Sequence, residues 1–224
     1  MTVYKEFLAA EAVKLVQDGM IIGVGAGSTM NIFVEKLIEH VSVNQIHIKF
    51  VSADSNLNTM ASVDGITVLD ILNVAELDLL FDGADFVDLE TGLVSKGNGG
   101  FIFNEMFLAK FAKRSIILID ESKLEWNRLP KVFLEVNEEL LAEVFNELAT
   151  FVCFLREGLS AAGNLVLELS VAERSDVDGL IDVASRLDGV LMVGACYHVY
   201  DQAWVARRAN RSMFVEKFNL KNDR

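Results

Sequence analysis

Hydrophobic residues in the first 120 positions of the chain follow two spacings. Short apolar or alternating runs predict strands, and apolar residues spaced three or four positions apart predict helices. The predicted strands are residues 20–25, 46–53, 66–70, 77–83 and 115–120, and the predicted helices are residues 3–17, 30–40 and 101–113. This alternation predicts an α/β fold, a mainly parallel sheet flanked by helices in a Rossmann-like main domain.

The pattern changes after Pro130, the only proline in the chain. Strand-like runs lie at residues 131–136, 151–157, 164–171 and 189–197, and helical spacing lies at residues 137–148 and 176–187. Several strands with two helices predict a smaller α+β domain inserted into the first, and the tail is predicted to return to the main sheet. We therefore expect a main domain of residues 1–128 plus 205–224 and a smaller domain of residues 129–204.

Composition and charge narrow the possible partners. The apolar fraction of 52% is high enough for a substantial core, and the net charge is −13 at pH 7. Because that charge repels nucleic acid and anionic membranes, neither is expected as a partner. A small anionic substrate would need a local cluster of cations.

Metal centres and disulfides are not expected. The three histidines show no zinc-type spacing, and the two cysteines, Cys153 and Cys196, lie far apart. The first residues carry acids and predict a helix rather than a signal peptide, and no apolar run approaches the ~20 residues that span a bilayer. These features predict a soluble cytoplasmic protein.

The first stretch that indicates chemistry is GVGAGST, residues 23–29, between a predicted strand and a predicted helix. A dinucleotide-binding fingerprint would need a third glycine where Ser28 stands, and a P-loop would need a lysine. The remaining interpretations are a phosphate site at a helix N-terminus and a tight turn in which Ser28 and Thr29 cap the helix.

Two further stretches carry ionisable groups at turns. In FDGADFVD, residues 81–88, Asp82 and Asp85 flank a Gly-Ala turn at a strand end, where they either face a crevice or cap the turn. In SKGNGGFIFNE, residues 95–105, Lys96 precedes a glycine-rich turn and Glu105 follows it. That pair suits proton transfer on a sugar, with the carboxylate as base and the lysine stabilising an oxyanion; the alternative is a mobile loop with a surface glutamate.

Taken in order, these stretches resemble the A-type ribose-5-phosphate isomerase family. GVGAGST resembles its phosphate loop, VSADSN its serine-rich segment, FDGADFVD its Asp-Gly-Ala-Asp-Glu motif, KGNGGFIFNE its Lys-Gly-Gly-Gly motif with the glutamate beyond it, and IDESKL its Asp-Glu-Ser-Lys segment. The likeness covers the first ~130 residues closely, and five motifs in series form a specific signal.

The resemblance implies an aldose–ketose isomerase of the non-oxidative pentose phosphate pathway that interconverts D-ribose 5-phosphate and D-ribulose 5-phosphate. Glu105 would be the general base, with Lys96, Asp82 and Asp85 assisting ring opening and stabilising the enediol. The implied substrate-binding residues are Lys5, Gly25, Gly27, Ser28, Thr29, Gly97, Asn98, Gly99 and Lys123. The family uses no metal or organic cofactor, and its members are homodimers or tetramers.

Some positions depart from the family pattern. They are Ala26 and Phe86 in the first two motifs, and Asn98, Phe101, Asn104 and Met106 around the third. Three alternatives stay open: an isomerase of another phosphosugar, which Phe86, Asn98 and Phe101 would allow; a non-catalytic phosphosugar-binding sensor on the same scaffold; and a CoA-transferase-like enzyme, since related folds do that chemistry. Because a sensor needs only the phosphate loop, the four ionisable groups together favour catalysis. The chain length and the Asp-Gly-Ala-Asp stretch favour an isomerase over a CoA-transferase.

Overall fold

The computed structural model describes residues 2–124, 131–171, 175–209 and 212–221. Its helices are α1 (Thr2–Ala12), α2 (Ser28–Asn44), α3 (Ser55–Met60), α4 (Ile102–Phe111), α5 (Leu141–Glu147) and α6 (Ser175–Ala184). Its strands are β1 (Ile21–Val24), β2 (Ile48–Ser52), β3 (Ile66–Val68), β4 (Leu79–Asp82), β5 (Phe86–Val87), β6 (Leu93–Ser95), β7 (Ser115–Asp120), β8 (Lys131–Val136), β9 (Val152–Leu159), β10 (Leu165–Ser170), β11 (Val190–Val193), β12 (Ala195–Tyr197), β13 (Gln202–Ala209) and β14 (Ser212–Asn219).

The largest sheet has seven strands in the order β14-β13-β7-β4-β1-β2-β3. All neighbours in it pair in parallel except β13 and β14, which pair antiparallel. Leu8 of α1 and Phe33 of α2 pack in the core on one face, whereas Ile102 and Leu108 of α4 pack in the core on the other. The predicted α/β class, with helices flanking a mainly parallel sheet, is confirmed.

A second sheet of four strands, in the order β11-β8-β10-β9, is antiparallel throughout. Leu148, just after α5, and Leu180 of α6 are buried in a third core cluster together with strands of this sheet. The chain enters the large sheet again at Gln202, so the predicted boundary at residue 205 falls inside β13. The division into two domains stays a prediction.

The prediction of one strand over residues 189–197 is wrong. β11 belongs to the four-stranded sheet, whereas β12 pairs with β6 in a separate small sheet, β12-β6-β5. Between them, the N–H of Gly194 donates to Phe133 O at 2.7 Å and its carbonyl accepts from the Lys96 N–H at 2.6 Å. A Cβ at Gly194 would lie 2.3 Å from Lys96 O, so only glycine lets the chain change sheets here.

The first predicted helix is shorter than expected. α1 ends at Ala12 and a 3₁₀ turn occupies Val13–Leu15, after which Val16 is extended. The sheet topology matters more for function, because the parallel strands β1, β4 and β7 are neighbours and end at the same edge. In α/β sheets, ligands bind outside such carboxyl ends.

Candidate active site

A cavity of about 160 Å³ opens where β1, β4 and β7 end. Its wall contains Lys5, Ala26, Gly27, Ser28, Thr29, Gly83, Ala84, Asp85, Lys96, Gly97, Gly99, Phe101, Leu118, Ile119, Asp120 and Lys123, as well as Glu105. The loops after three strands therefore converge on one site, as the predicted sheet requires.

Lys96 lies at the centre of the charged groups and is only 3% exposed. Its Nζ lies 2.6 Å from Asp82 Oδ2 and 3.4 Å from Glu105 Oε2, and it donates to Gly83 O at 2.6 Å. Burial works against the charge on Lys96, but Asp82 and Glu105 outweigh it and raise the pKa of the ammonium above its usual range. Lys96 is thus a fixed cation between the carboxyl groups of Asp82 and Glu105.

Glu105 lies in the first turn of α4 and is also buried, at 6% exposure. Its Oε1 accepts a hydrogen bond from the Ala26 N–H at 3.2 Å. Burial and then the negative charge of Asp82 raise the pKa of Glu105 from 4.5 to about 8, although Lys96 opposes the shift. A carboxyl group with a pKa near the working pH can both take and return a proton.

Asp82 is completely buried and lies behind the cavity wall. The Gly83 N–H donates to its Oδ1 at 2.7 Å, while its Oδ2 meets Lys96. A Cβ on Gly25 would come within 1.7 Å of Asp82 Oδ1. Gly25 lies outside the wall as well, and its lack of a side chain makes room for this carboxylate.

The glycine-rich turn after Lys96 is held from two sides. Asp85 Oδ2 accepts from the Asn98 N–H at 2.9 Å, and Arg156 Nη1 donates to Asn98 O at 2.7 Å. Gly97 has a φ of +121°, and a Cβ there would lie 2.6 Å from Phe133 Cβ. Gly97 and Gly99 line the cavity, whereas Asn98 is exposed outside its wall.

The prediction that Ser28 and Thr29 cap α2 is wrong. Gly27, with a φ of +92°, is the N-cap, no side chain caps the helix, and Ser28 is its first residue. The Ser28 hydroxyl instead accepts from Lys5 Nζ at 2.7 Å. Because the first residues of this 17-residue helix line the cavity together with Lys5 and Lys123, the arrangement suits a phosphate group.

Three buried groups at the site were not assigned from the sequence. The Tyr200 hydroxyl donates to Asp82 Oδ2 at 3.0 Å, and Asp120 lines the cavity. Glu135 of β8 accepts from the Phe103 N–H in the first turn of α4 at 2.9 Å. Asp120 stands in the quoted IDESKL stretch, but Tyr200 and Glu135 lie in no motif and reach the site only through the fold.

The described parts of the chain contain neither a side-chain cluster suited to a metal ion nor a helix suited to crossing a membrane. Within them, no group of three or more histidine, cysteine, aspartate or glutamate side chains is arranged to hold a metal ion. None of the helices in those parts has the length and hydropathy needed to cross a membrane.

The fold and the site together define an α/β protein with a buried cluster of two carboxyl groups and a lysine beside a helix N-terminus whose surroundings suit an anion. Comparison with known proteins is consistent with this class. The sequence model of the family described as "Ribose 5-phosphate isomerase A (phosphoriboisomerase A)" matches residues 49–210. The chain belongs to this family.

Individual relatives cover nearly the whole chain. The ribose-5-phosphate isomerase A of Staphylococcus haemolyticus is 31% identical over 206 residues, which is 87% of this chain and 89% of the relative. The solved structure of a D-ribose-5-phosphate isomerase in complex with phospho-erythronic acid has a TM-score of 0.86 at 25% identity and covers 97% of this chain and 98% of that one. The structure of ribose 5-phosphate isomerase A from Methanocaldococcus jannaschii is 24% identical and shares the fold, with a TM-score of 0.85. The match covers 97% of this chain and 99% of that one.

Proposed function

We propose that the protein interconverts D-ribose 5-phosphate and D-ribulose 5-phosphate through a cis-enediolate, without a metal or organic cofactor. The observation that carries this proposal is the placement of Glu105 and Lys96 in one cavity with the N-terminus of α2. The names of the relatives and the phospho-erythronic acid bound by one of them support it.

The substrate phosphate would lie against the free N–H groups at the start of α2. Lys5, Ser28, Thr29 and Lys123 line this part of the cavity, and the two lysines supply the local positive charge that the acidic chain otherwise lacks. The sugar carbons would then extend towards Glu105, so that fixing the phosphate also positions C1 and C2.

Glu105 would then transfer a proton from C2 to C1 of the open-chain sugar, with Lys96 stabilising the intermediate. The Glu105 carboxylate removes the proton from C2, the C–H electron pair forms the C1=C2 bond, and O1 becomes negatively charged. The Lys96 ammonium stabilises that charge. Glu105 returns the proton to C1, a hydroxyl proton moves from O2 to O1, and the C2=O bond forms.

The two aspartates take different parts in this proposal. Asp85 lines the cavity and is the carboxylate available to assist opening of the sugar ring. Asp82 lies outside the wall, where its bond to Lys96 holds the ammonium in place. We therefore assign ring opening to Asp85 and the positioning of Lys96 to Asp82.

A direct assay tests the function. Purified protein is mixed with D-ribose 5-phosphate, and ribulose 5-phosphate is followed by absorbance. The Glu105→Gln variant should lose about 10²–10⁴-fold in kcat, the usual contribution of a positioned base, with substrate binding nearly unchanged. If the wild type binds the sugar phosphate without turning it over, the protein is a sensor.

An isomerase of a different phosphosugar is the second candidate. Phe101 lines the cavity at a position where the family motif has a small residue, so the space beyond the glycine turn is altered. Comparing kcat/KM across pentose and hexose phosphates, for the wild type and for Phe101→Ala, distinguishes the two candidates.

We also propose a cytoplasmic homodimer or homotetramer. Cys153 and Cys196 are both free thiols, which suits a reducing compartment. On the edge strand β9, Phe154 is 56% exposed and Leu159 is 64% exposed, an apolar surface that suits contact with a second copy. Sedimentation velocity of the wild type and of Phe154→Lys tests this assembly.

A further inference from the structure

Tyr200 is a fully buried side chain next to the catalytic cluster but outside the cavity wall. It precedes β13, and its hydroxyl donates to Asp82 Oδ2 at 3.0 Å. Lys96 Nζ lies 5.6 Å from the centroid of its ring, within the range of a cation–π contact. Tyr200 thus contacts both groups of the Asp82–Lys96 pair.

We propose that Tyr200 is a positioning residue that keeps Lys96 shared between Asp82 and Glu105, and thereby sets the pH range in which Glu105 acts as a base. The inference rests on the proposed function only for its catalytic consequence. The effect on the protonation of Glu105 can be measured without substrate.

The hydrogen-bond partners of Asp82 Oδ2 explain this role of Tyr200. This oxygen accepts from the Tyr200 hydroxyl and also lies 2.6 Å from Lys96 Nζ. Without the hydroxyl, Lys96 is the one partner left to this oxygen among the described residues, because the Gly83 N–H is bound to Oδ1. Asp82 then attracts the ammonium more strongly and also exerts a stronger repulsion on an ionised Glu105.

Tyr200 remains a donor over the relevant pH range. Burial, followed by the charge of Asp82, raises the pKa of its phenol well above its ordinary value. Burial also raises the pKa of the neighbouring Cys196 thiol, to about 12. Near neutral pH the phenol and this thiol are therefore neutral.

Other charged groups face Glu105 from the surrounding elements. The acidic groups are Asp82 at the end of β4, Asp85 in the loop after it, and Asp120 at the end of β7. The basic groups are Lys5 of α1, Lys96 just after β6, and Lys123 just after β7. A Tyr200→Phe substitution changes none of them and keeps the ring in the core. Any change in the titration of Glu105 therefore reports the lost hydroxyl.

The test is an infrared titration of the Glu105 carboxyl in the substrate-free protein with ¹³C-labelled glutamate. The band is assigned by its loss in Glu105→Gln. In Tyr200→Phe, we expect the midpoint to move at least about 0.5 pH unit upward. The matched control is Tyr197→Phe, because the Tyr197 hydroxyl is hydrogen-bonded to Asp178, an aspartate away from the cavity. This variant should leave the midpoint unchanged.

The pH profile of kcat/KM should show the same shift in Tyr200→Phe, with kcat falling more than KM changes. An unchanged or lowered infrared midpoint in a folded Tyr200→Phe variant would overturn the inference, whatever the activity. Absence of turnover by the wild type, in contrast, would refute the proposed function while the infrared titration still decides the role of Tyr200.

Discussion

The carboxylate of Asp82 fills the space that a side chain on Gly25 would need: a Cβ on Gly25 would lie 1.7 Å from Asp82 Oδ1. The glycine follows β1 and the aspartate ends β4, two neighbouring strands of the large sheet. Asp82 can be fully buried beside Lys96 only because the preceding loop has no side chain at this position. The loop after β1, which we propose binds the phosphate, thus also makes room for the buried Asp82–Lys96 pair.

A Gly25→Ala substitution should therefore inactivate the protein more than it unfolds it. The new methyl group must displace the Asp82 carboxylate, which moves Lys96, so we expect kcat to fall at least about 100-fold, a usual loss for a disturbed electrostatic group. Steady-state kinetics and urea unfolding measure the two effects.

Gly179→Ala is the matched control for that substitution. Gly179 lies in α6, and no atom of the described residues comes within 4 Å of an added Cβ, so alanine should stabilise the helix by about 0.5–1 kcal/mol and leave kcat unchanged. Full activity of Gly25→Ala would show that Asp82 does not need its present position.

The activity should depend on pH through Glu105. Its pKa of about 8 means that the base is mostly protonated at neutral pH, so kcat/KM should rise almost tenfold per pH unit below about 8 and level off above it. Initial rates from pH 6 to pH 10 check the profile; a flat profile between pH 6 and pH 9 contradicts the assignment of the base.

The same shift predicts a pH-dependent stability. Because the folded-state pKa of Glu105 is raised from 4.5 to about 8, folding favours the protonated carboxyl. The stabilisation is fully present below about pH 4.5 and is lost as the pH rises through about 8. Each unit of the shift corresponds to about 1.4 kcal/mol.

Glu105→Gln should remove that dependence. The free energy of unfolding of the variant relative to the wild type should increase between pH 4.5 and pH 8 and stay constant above. Urea unfolding at several pH values measures this difference. A difference that does not vary with pH would show that Glu105 ionises normally.

Lys96→Met should be strongly destabilising. It leaves Asp82 buried without its cation, and breaking a buried ion pair on one side costs about 3–5 kcal/mol. Adding Asp82→Asn should restore much of that stability but none of the activity, because Lys96 is still missing. Unfolding curves and turnover of the two single variants and the double variant complete the cycle; equal stability of Lys96→Met and the double variant would contradict the pairing.

Lys123→Gln tests the proposed phosphate site. The lost cation should lower kcat/KM for ribose 5-phosphate at least about tenfold, mainly through KM, since a hydrogen bond to a charged group contributes about 1.5–3 kcal/mol. Lys49→Gln, at an exposed position of β2, makes the same change in net charge and should be neutral. Equal KM values for the two variants would exclude Lys123 from the site.

The sequence was informative where function depends on local pattern. The alternation of runs predicts the parallel sheet, and Lys96 and Glu105, nine residues apart, are held in contact by the turn and the start of α4. Tyr200 was out of reach because its partner Asp82 is 118 residues away. The strand change at Gly194 was missed because glycine in an apolar run does not show which backbone it approaches.

Glu135 connects the four-stranded sheet to α4, the helix that carries Glu105. Its second carboxylate oxygen accepts from the Ser160 hydroxyl and the Asn164 amide, at 2.9 Å and 2.8 Å. One side chain thus joins β8, the turn between β9 and β10, and the first turn of α4. If the four-stranded sheet loosens on heating, Glu105 loses its alignment while the parallel sheet is still intact. Thermal inactivation would then precede the loss of secondary structure, which makes turnover an early reporter of partial unfolding.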